Sequence, residues 1–199
     1  MAKVVVDLTM SLDGFIAGPG DGLEHPLGLR GGERLFAWYE GGPKTDNPLF
    51  SPKGRNREVV AETIARAGAI ISGRRTYDIT HGWGGTFPVN DAPVVVLTHE
   101  PPTDHPKGRS KFSFVSDIHD AVRIAKEGAG DKDIGMTGAS PAQQALAAGL
   151  ADELYIHVAP LLLGDGVRLF DHIAKDIALE LIGTIETPEA VHLHYRVLR

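Results

Sequence analysis

Hydrophobic and polar positions fall into short alternating blocks along the chain. Val4-Val5-Val6-Asp7-Leu8-Thr9-Met10 is a β-branched run closed by Ser11-Leu12-Asp13-Gly14, the pattern of a buried strand feeding a loop. The loop extends to about Gly32, because Gly18, Pro19, Gly20 and Gly22 disfavour a helix. Residues 33–39 place Leu35, Trp38 and Tyr39 on one helical face and predict a short helix. Residues 41–57 are polar and rich in Gly, Pro, Asn and Lys, which predicts an excursion over the surface. A helix over 58–67 then leads into a buried strand over 69–72 that ends at Gly73.

The alternation continues. Residues 94–98 and 112–115 read as strands, and Asp117 caps a helix over 118–127. A strand over 134–136 precedes a helix that starts at Pro141 and reaches Gly149. Beyond Ala151 the helices stop, and residues 153–159, 177–184 and 191–198 all predict strands. Strands alternating with helices, then strands alone, predict an α/β fold with a mainly parallel central sheet and an antiparallel C-terminal edge.

Composition narrows the chemistry. A chain of 199 residues with 42% hydrophobic content can bury one core, so a single domain over 1–199 is expected. A net charge of -6 without a basic run argues against nucleic acid or an anionic membrane and for a small-molecule partner. The apolar N-terminal run is too short for a signal sequence and no later run could span a bilayer, which predicts a cytoplasmic protein. With no cysteine, disulfides, thiol nucleophiles and Cys-ligated zinc are excluded. No Gly-x-Ser-x-Gly elbow occurs, which disfavours a serine hydrolase. His192 and His194 share a strand face in a way compatible with a metal pair, but no third ligand is nearby, so no metal is expected. His157 reads as a core or interface histidine.

Two strand-to-helix junctions carry the strongest chemical signal, Ser72-Gly73-Arg74-Arg75-Thr76 and Met136-Thr137-Gly138-Ala139-Ser140-Pro141. At each, small residues let the backbone approach a ligand while helix N-terminal amides face an anion, so the pair suits a shared dinucleotide; ordinary αβ turns are the alternative. Arg74 and Arg75 add charge for phosphates, and Thr76 either caps its helix or bonds a phosphate. Trp83 and Phe87 offer an aromatic wall for a flat ring, or else anchor a surface loop.

These pieces together resemble the dihydrofolate reductase superfamily, and most closely the RibD C-terminal reductase domain of riboflavin biosynthesis. The resemblance rests on residues 11–17, Gly73-Arg74-Arg75-Thr76-Tyr77, Thr137-Gly138-Ala139-Ser140, Ala151-Asp152-Glu153-Leu154 and the stretch from Pro160 to Phe170. It implies a dihydrofolate-reductase-like three-layer fold with helices on both sheet faces. It further implies an NADPH-dependent oxidoreductase acting on a pyrimidine- or pterin-like heterocycle, in the manner of 5-amino-6-(5-phosphoribosylamino)uracil reductase. By that resemblance, Gly73, Arg74 and Thr76 contact the cofactor phosphates, with Arg75 a further candidate. Thr98 meets the adenosine side, and Thr137, Gly138, Ala139 and Ser140 form the second phosphate turn. Leu8, Thr9, Ile16 and Ala17 line the nicotinamide pocket. Leu35 stands where folate enzymes carry a carboxylate on the first helix, so Asp13 is the candidate acid and substrate contact; as an Asp before Gly14 it also suits a turn. The stretch containing Leu163 floors the substrate side. A homodimer is implied as well. A non-catalytic dinucleotide-binding protein and a flavin-linked reductase are the rival readings.

Overall fold

The computed structural model describes residues 2–44, 47, 49–173 and 176–199. The β-branched runs build a central sheet. Strand β1 (Val4–Ser11) lies between two parallel neighbours, β6 (Asp133–Thr137) and β7 (Glu153–Ala159). On the far side of β6 follow β3 (Ala67–Gly73), β4 (Val94–Leu97) and β5 (Phe112–Val115), all parallel. Beyond β7 the direction reverses: β10 (Val191–Val197) pairs antiparallel with β7, and β9 (Leu179–Glu186) antiparallel with β10. The spatial order is β5-β4-β3-β6-β1-β7-β10-β9, the mainly parallel sheet with an antiparallel C-terminal edge that the alternation predicts.

Because successive strand residues point to opposite faces, each strand serves two layers. Val4 and Val6 of β1, Ile71 of β3 and Ile134 and Met136 of β6 pack against α3 (Ile118–Ala129) and α4 (Ala139–Ala147). On the opposite face Val5 and Tyr155 meet α1 (Asn56–Arg66) and Trp38 of the 3-10 helix Gly32–Tyr39, while Ile70, Val94 and Val96 pack on Tyr77 of α2 (Arg74–Ile79). Helices therefore cover both faces. The α3 cap is as predicted, with the Asp117 carboxylate accepting from the His119 and Asp120 amides.

A short strand pair and the start of α4 differ from the sequence expectation. Within the predicted loop before Gly32, β2 (Phe15–Ala17) pairs antiparallel with β8 (Val167–Arg168). A three-residue strand whose partner lies far along the chain leaves no local periodicity. α4 begins at Ala139 instead of Pro141, because Gly138, at φ 90°, makes the turn itself. Among the described residues, no helix is long and apolar enough to cross a membrane.

Candidate functional site

Six parallel strands present their carboxyl ends along one edge, where open α/β sheets bind ligands. At the middle of that edge the two glycine turns abut. A Cβ on Gly73 would stand 3.3 Å from the Pro141 Cδ, and one on Gly138 would stand 2.7 Å from the Thr76 hydroxyl. At Gly138 the backbone thus approaches a side chain at a distance that glycine alone permits, and at Gly73 a Cβ would be tight. Neither α2 nor α4 has a side-chain cap, so their first-turn amides lack intrahelical acceptors and point outward. Between them Thr137 contributes a buried hydroxyl with no hydrogen-bond partner among the described residues, the kind of group that a ligand satisfies.

Both arginines beside these turns have protein partners. Arg74 Nε donates to Asp78 Oδ1 at 2.8 Å, and its Nη1 donates to the Glu100 carbonyl. The Thr98 hydroxyl also donates to that carbonyl, at 3.1 Å, so Arg74 and Thr98 together fix the exit from β4. Arg75 grips Asp21 from the glycine-rich loop through Nε and Nη2, each 2.8 Å from a carboxylate oxygen. Arg75 is exposed, and its pairing ties the loop across to the start of α2. Of the residues assigned to the nicotinamide side, Thr9 and Ala17 are buried, and Leu8 and Ile16 pack on the cluster under α3 and α4. The Thr9 hydroxyl accepts from the Trp38 indole at 3.1 Å.

Asp13 is used as a clamp. Its Oδ1 accepts from the Ser11 hydroxyl at 2.5 Å and the Leu163 amide at 3.1 Å, and its Oδ2 accepts from the Gly164 amide at 2.7 Å. Burial pushes the carboxyl pKa up, but these donors outweigh it and hold the group below the ordinary aspartate value. A carboxylate so held stays ionised at neutral pH and joins two loops; this is the turn-forming use of Asp13, distinct from the expected acid. Leu163, expected at the substrate floor, is buried among Phe15, Leu35 and Ala159. Phe87 is likewise a core residue, packed with Tyr77, Val94 and Val96, and Trp83 meets it edge-on at 5.1 Å. The side chains of Phe87 and Leu163 pack into these clusters, which for Phe87 is the loop-anchoring alternative.

The largest departure lies on the face of β1 that carries Asp7, Thr9 and Ser11. Asp7 Oδ2 accepts from Thr63 of α1 at 3.1 Å, and Oδ1 lies 2.9 Å from Nε2 of His157. His157 Nδ1 lies 2.7 Å from His192 Nδ1, and His192 Nε2 lies 2.9 Å from the Asn56 Oδ1. Asn56 Nδ2 donates to Glu189 at 3.1 Å, and Glu189 pairs with Lys53 at 2.8 Å. His157, His192 and Asn56 are fully buried, with the Trp38 ring 4.4 Å from His157 and 4.9 Å from His192. The two histidines of the suspected metal pair diverge in use, since His194 bonds Glu153 at 2.8 Å. Sequence reading missed Asp7; its one local signal is an acidic residue inside a β-branched run, where an unpaired charge is costly.

Comparison with known proteins places this architecture. The family described as the RibD C-terminal domain matches residues 2–193. The uncharacterized protein YwjB of Bacillus subtilis (strain 168) is 28% identical over 97% of this chain and 97% of its own. A crystal structure titled as a putative riboflavin biosynthesis protein from Shewanella sp. PV-4 shares the fold with a TM-score of 0.71 and 24% identity over the whole of both chains. Dihydrofolate reductase from Enterococcus faecalis, complexed with NADP(H), superposes with a TM-score of 0.56 and 12% identity, covering 98% of this chain and 96% of its own.

Proposed function

Because the chain belongs to the RibD C-terminal domain family, we propose that it is an NADPH-dependent reductase of a pyrimidine- or pterin-like heterocycle. One observation carries the reading: two abutting glycine turns present uncapped helix amides and the unpartnered Thr137 hydroxyl to the same point on the sheet edge. These groups fit a dinucleotide diphosphate. Gly73 to Thr76 and Thr137 to Ser140 would hold the phosphates, with Thr98 at the adenosine side and Thr9 and Ala17 toward the ring. Arg74 and Arg75 would supply guanidinium contacts to a ribose phosphate, which favours NADPH over NADH.

When bound, a reduced nicotinamide supplies a hydride for an electrophilic carbon of a C=N or C=O bond. The protein's own contribution is positional. The turns would fix the diphosphate, and the glycine-rich loop that carries Asp21 would cover the approach and limit water. Asp13, by anchoring Leu163 and Gly164, holds the ring-side loops in register. The reading includes a cytoplasmic setting and a homodimer, and light scattering that reports a monomer would remove the latter.

Calorimetry on the full chain tests the cofactor. NADPH is expected to bind at least ~10-fold more tightly than NADH, a difference of about 1.4 kcal/mol. Gly138→Ala, which sets a methyl against Thr76 at positive φ, is expected to weaken NADPH by a further ~10-fold or more. Loss of reduced-nicotinamide absorbance with candidate aminopyrimidines or pterins then separates a reductase from a non-catalytic binder. No affinity for either dinucleotide would end the proposal.

A further inference from the structure

The buried line from Asp7 to Lys53 has a proton count that can be worked out from its geometry. Lys53 holds Glu189 ionised, its ion pair and hydrogen bond lowering the carboxyl pKa. An ionised carboxylate only accepts, so Asn56 must turn its Nδ2 to Glu189 and its Oδ1 to His192. His192 Nε2 therefore carries hydrogen. Burial, with the His157 ring beside it, lowers the His192 pKa to about 4, so at neutral pH its Nδ1 is a bare acceptor. The 2.7 Å contact between the two Nδ1 atoms then requires the hydrogen on His157 Nδ1. A neutral imidazole has one N–H, and this contact has used it. His157 Nε2 nevertheless sits 2.9 Å from Asp7 Oδ1, and two bare acceptors would repel there. One more proton must lie between them, on the ring or on the carboxyl.

Position gives that proton a use. The Asp7 side chain is 18% exposed while that of His157 is 1% exposed, so Asp7 is where the pair meets the outside. The β1–β6 register pairs Val6 with Met136, the residues that directly precede Asp7 in β1 and Thr137 at the end of β6, so Asp7 lies near the level of the sheet at which the second glycine turn begins. We propose that Asp7 and His157 hold a single acidic proton beside that turn and are the group from which the reduced substrate takes its proton, a role that rests on the reductase reading above.

In that step the substrate double bond gains a hydride at carbon from the nicotinamide dinucleotide, which is oxidised, and the proton at nitrogen or oxygen from the pair. The pair is left as carboxylate and neutral imidazole until solvent returns a proton. The other titratable and charged neighbours are Tyr39 from the 3-10 helix, Arg55, Glu62 and Arg66 from α1 and its cap, Tyr155 from β7, and His192 from β10. None competes as the acid. Burial first, then the Asp7 charge, raises the Tyr39 pKa, and burial, Glu62 and Asp7 push Tyr155 up to about 12.

Long-range 1H–15N spectra of the histidine rings in the cofactor-free protein test the proton count. His157→Gln assigns the His157 signals. The expected wild-type pattern is hydrogen on His157 Nδ1 and on His192 Nε2, with His157 Nε2 protonated or sharing a proton. Asp7→Asn should leave His157 neutral with a bare Nε2. A wild-type His157 with a bare Nδ1 and its one hydrogen on Nε2 would overturn the proposal. With a compound that is turned over, Asp7→Asn should reduce kcat by ~100-fold or more and abolish one limb of its pH profile. NADPH affinity should stay within about twofold. Should Asp7→Asn not fold, His157→Gln is read the same way, and an unchanged kcat and profile in the folded variant refutes the donor role. Failure of the wild type to bind NADPH or to turn over any compound counts against the reductase reading alone, and the ring spectra still decide where the proton lies.

Discussion

The two faces of the same strands have opposite contents. Toward α3 and α4, β1 offers Val4 and Val6, and beneath them lie Ile71, Ile134 and Met136, all buried with no polar atom to satisfy. Toward α1 and the 3-10 helix, the same strand offers Asp7, Thr9 and Ser11, its neighbour β7 adds His157, and β10 beyond it adds His192. Burying those groups costs free energy unless each is hydrogen-bonded, and the structure meets that demand with a connected line ending in the Glu189–Lys53 ion pair. One face is built for stability; the other accepts a polar interior at the place where the glycine turns open. Residues one apart in β1 therefore belong to different problems.

Substitutions can break or sharpen that contrast. The largest loss should come from the apolar face: Ile71→Ala is expected to cost roughly 3 kcal/mol, seen as a lower midpoint in denaturant, with dinucleotide affinity unchanged. Parity between this variant and an equivalent cut on the polar face would dissolve the distinction. Glu153, on the polar side, comes next. Burial raises its pKa, but Lys3, His194 and Arg66 outweigh this and bring it to about 2, below the ordinary 4.5. A depressed folded pKa means stability that is complete above 4.5 and lost as pH falls toward 2. Glu153→Gln should therefore cost roughly 1.5–3 kcal/mol at neutral pH and flatten the acid arm of a stability–pH curve. An unaltered acid arm would count against the ion cluster.

Asp13→Asn should have a smaller effect, about 1 kcal/mol, since the amide keeps one acceptor for the Leu163 and Gly164 amides but loses the charge. Faster amide exchange at 163–164 would report the loosened clamp, and unchanged exchange would argue against it. Arg75→Gln should be the mildest, within about 0.5 kcal/mol in stability, because the Arg75 end of the Asp21 pair is exposed. Its informative readout is the NADPH-to-NADH affinity ratio, which should fall if Arg75 exchanges Asp21 for a phosphate.

Much of the fold was legible because its signals are local. The β-branched runs mark the inner strands, Asp117 marks the α3 cap, and the small residues after β3 and β6 mark the turns. The site was half legible by the same rule. Gly73 and Gly138 announce themselves through composition, whereas nothing near Trp83, Phe87 or Leu163 says whether a large side chain faces a ligand or the core. That choice depends on what packs over each residue from elsewhere in the chain.

The sequence by itself determined the main alternation of strands and helices and the positions where backbone can turn without a side chain, since each follows from residue type and spacing. Tertiary structure alone decided that Asp7, His157, His192 and Asn56 form one hydrogen-bonded line and that Asp13 is occupied by Leu163 and Gly164. The physical reason is distance along the chain. Proton position and hydrogen-bond partnership are set by atoms brought within about 3 Å, and here those atoms come from segments that meet only when β7 and β10 close against β1 and α1.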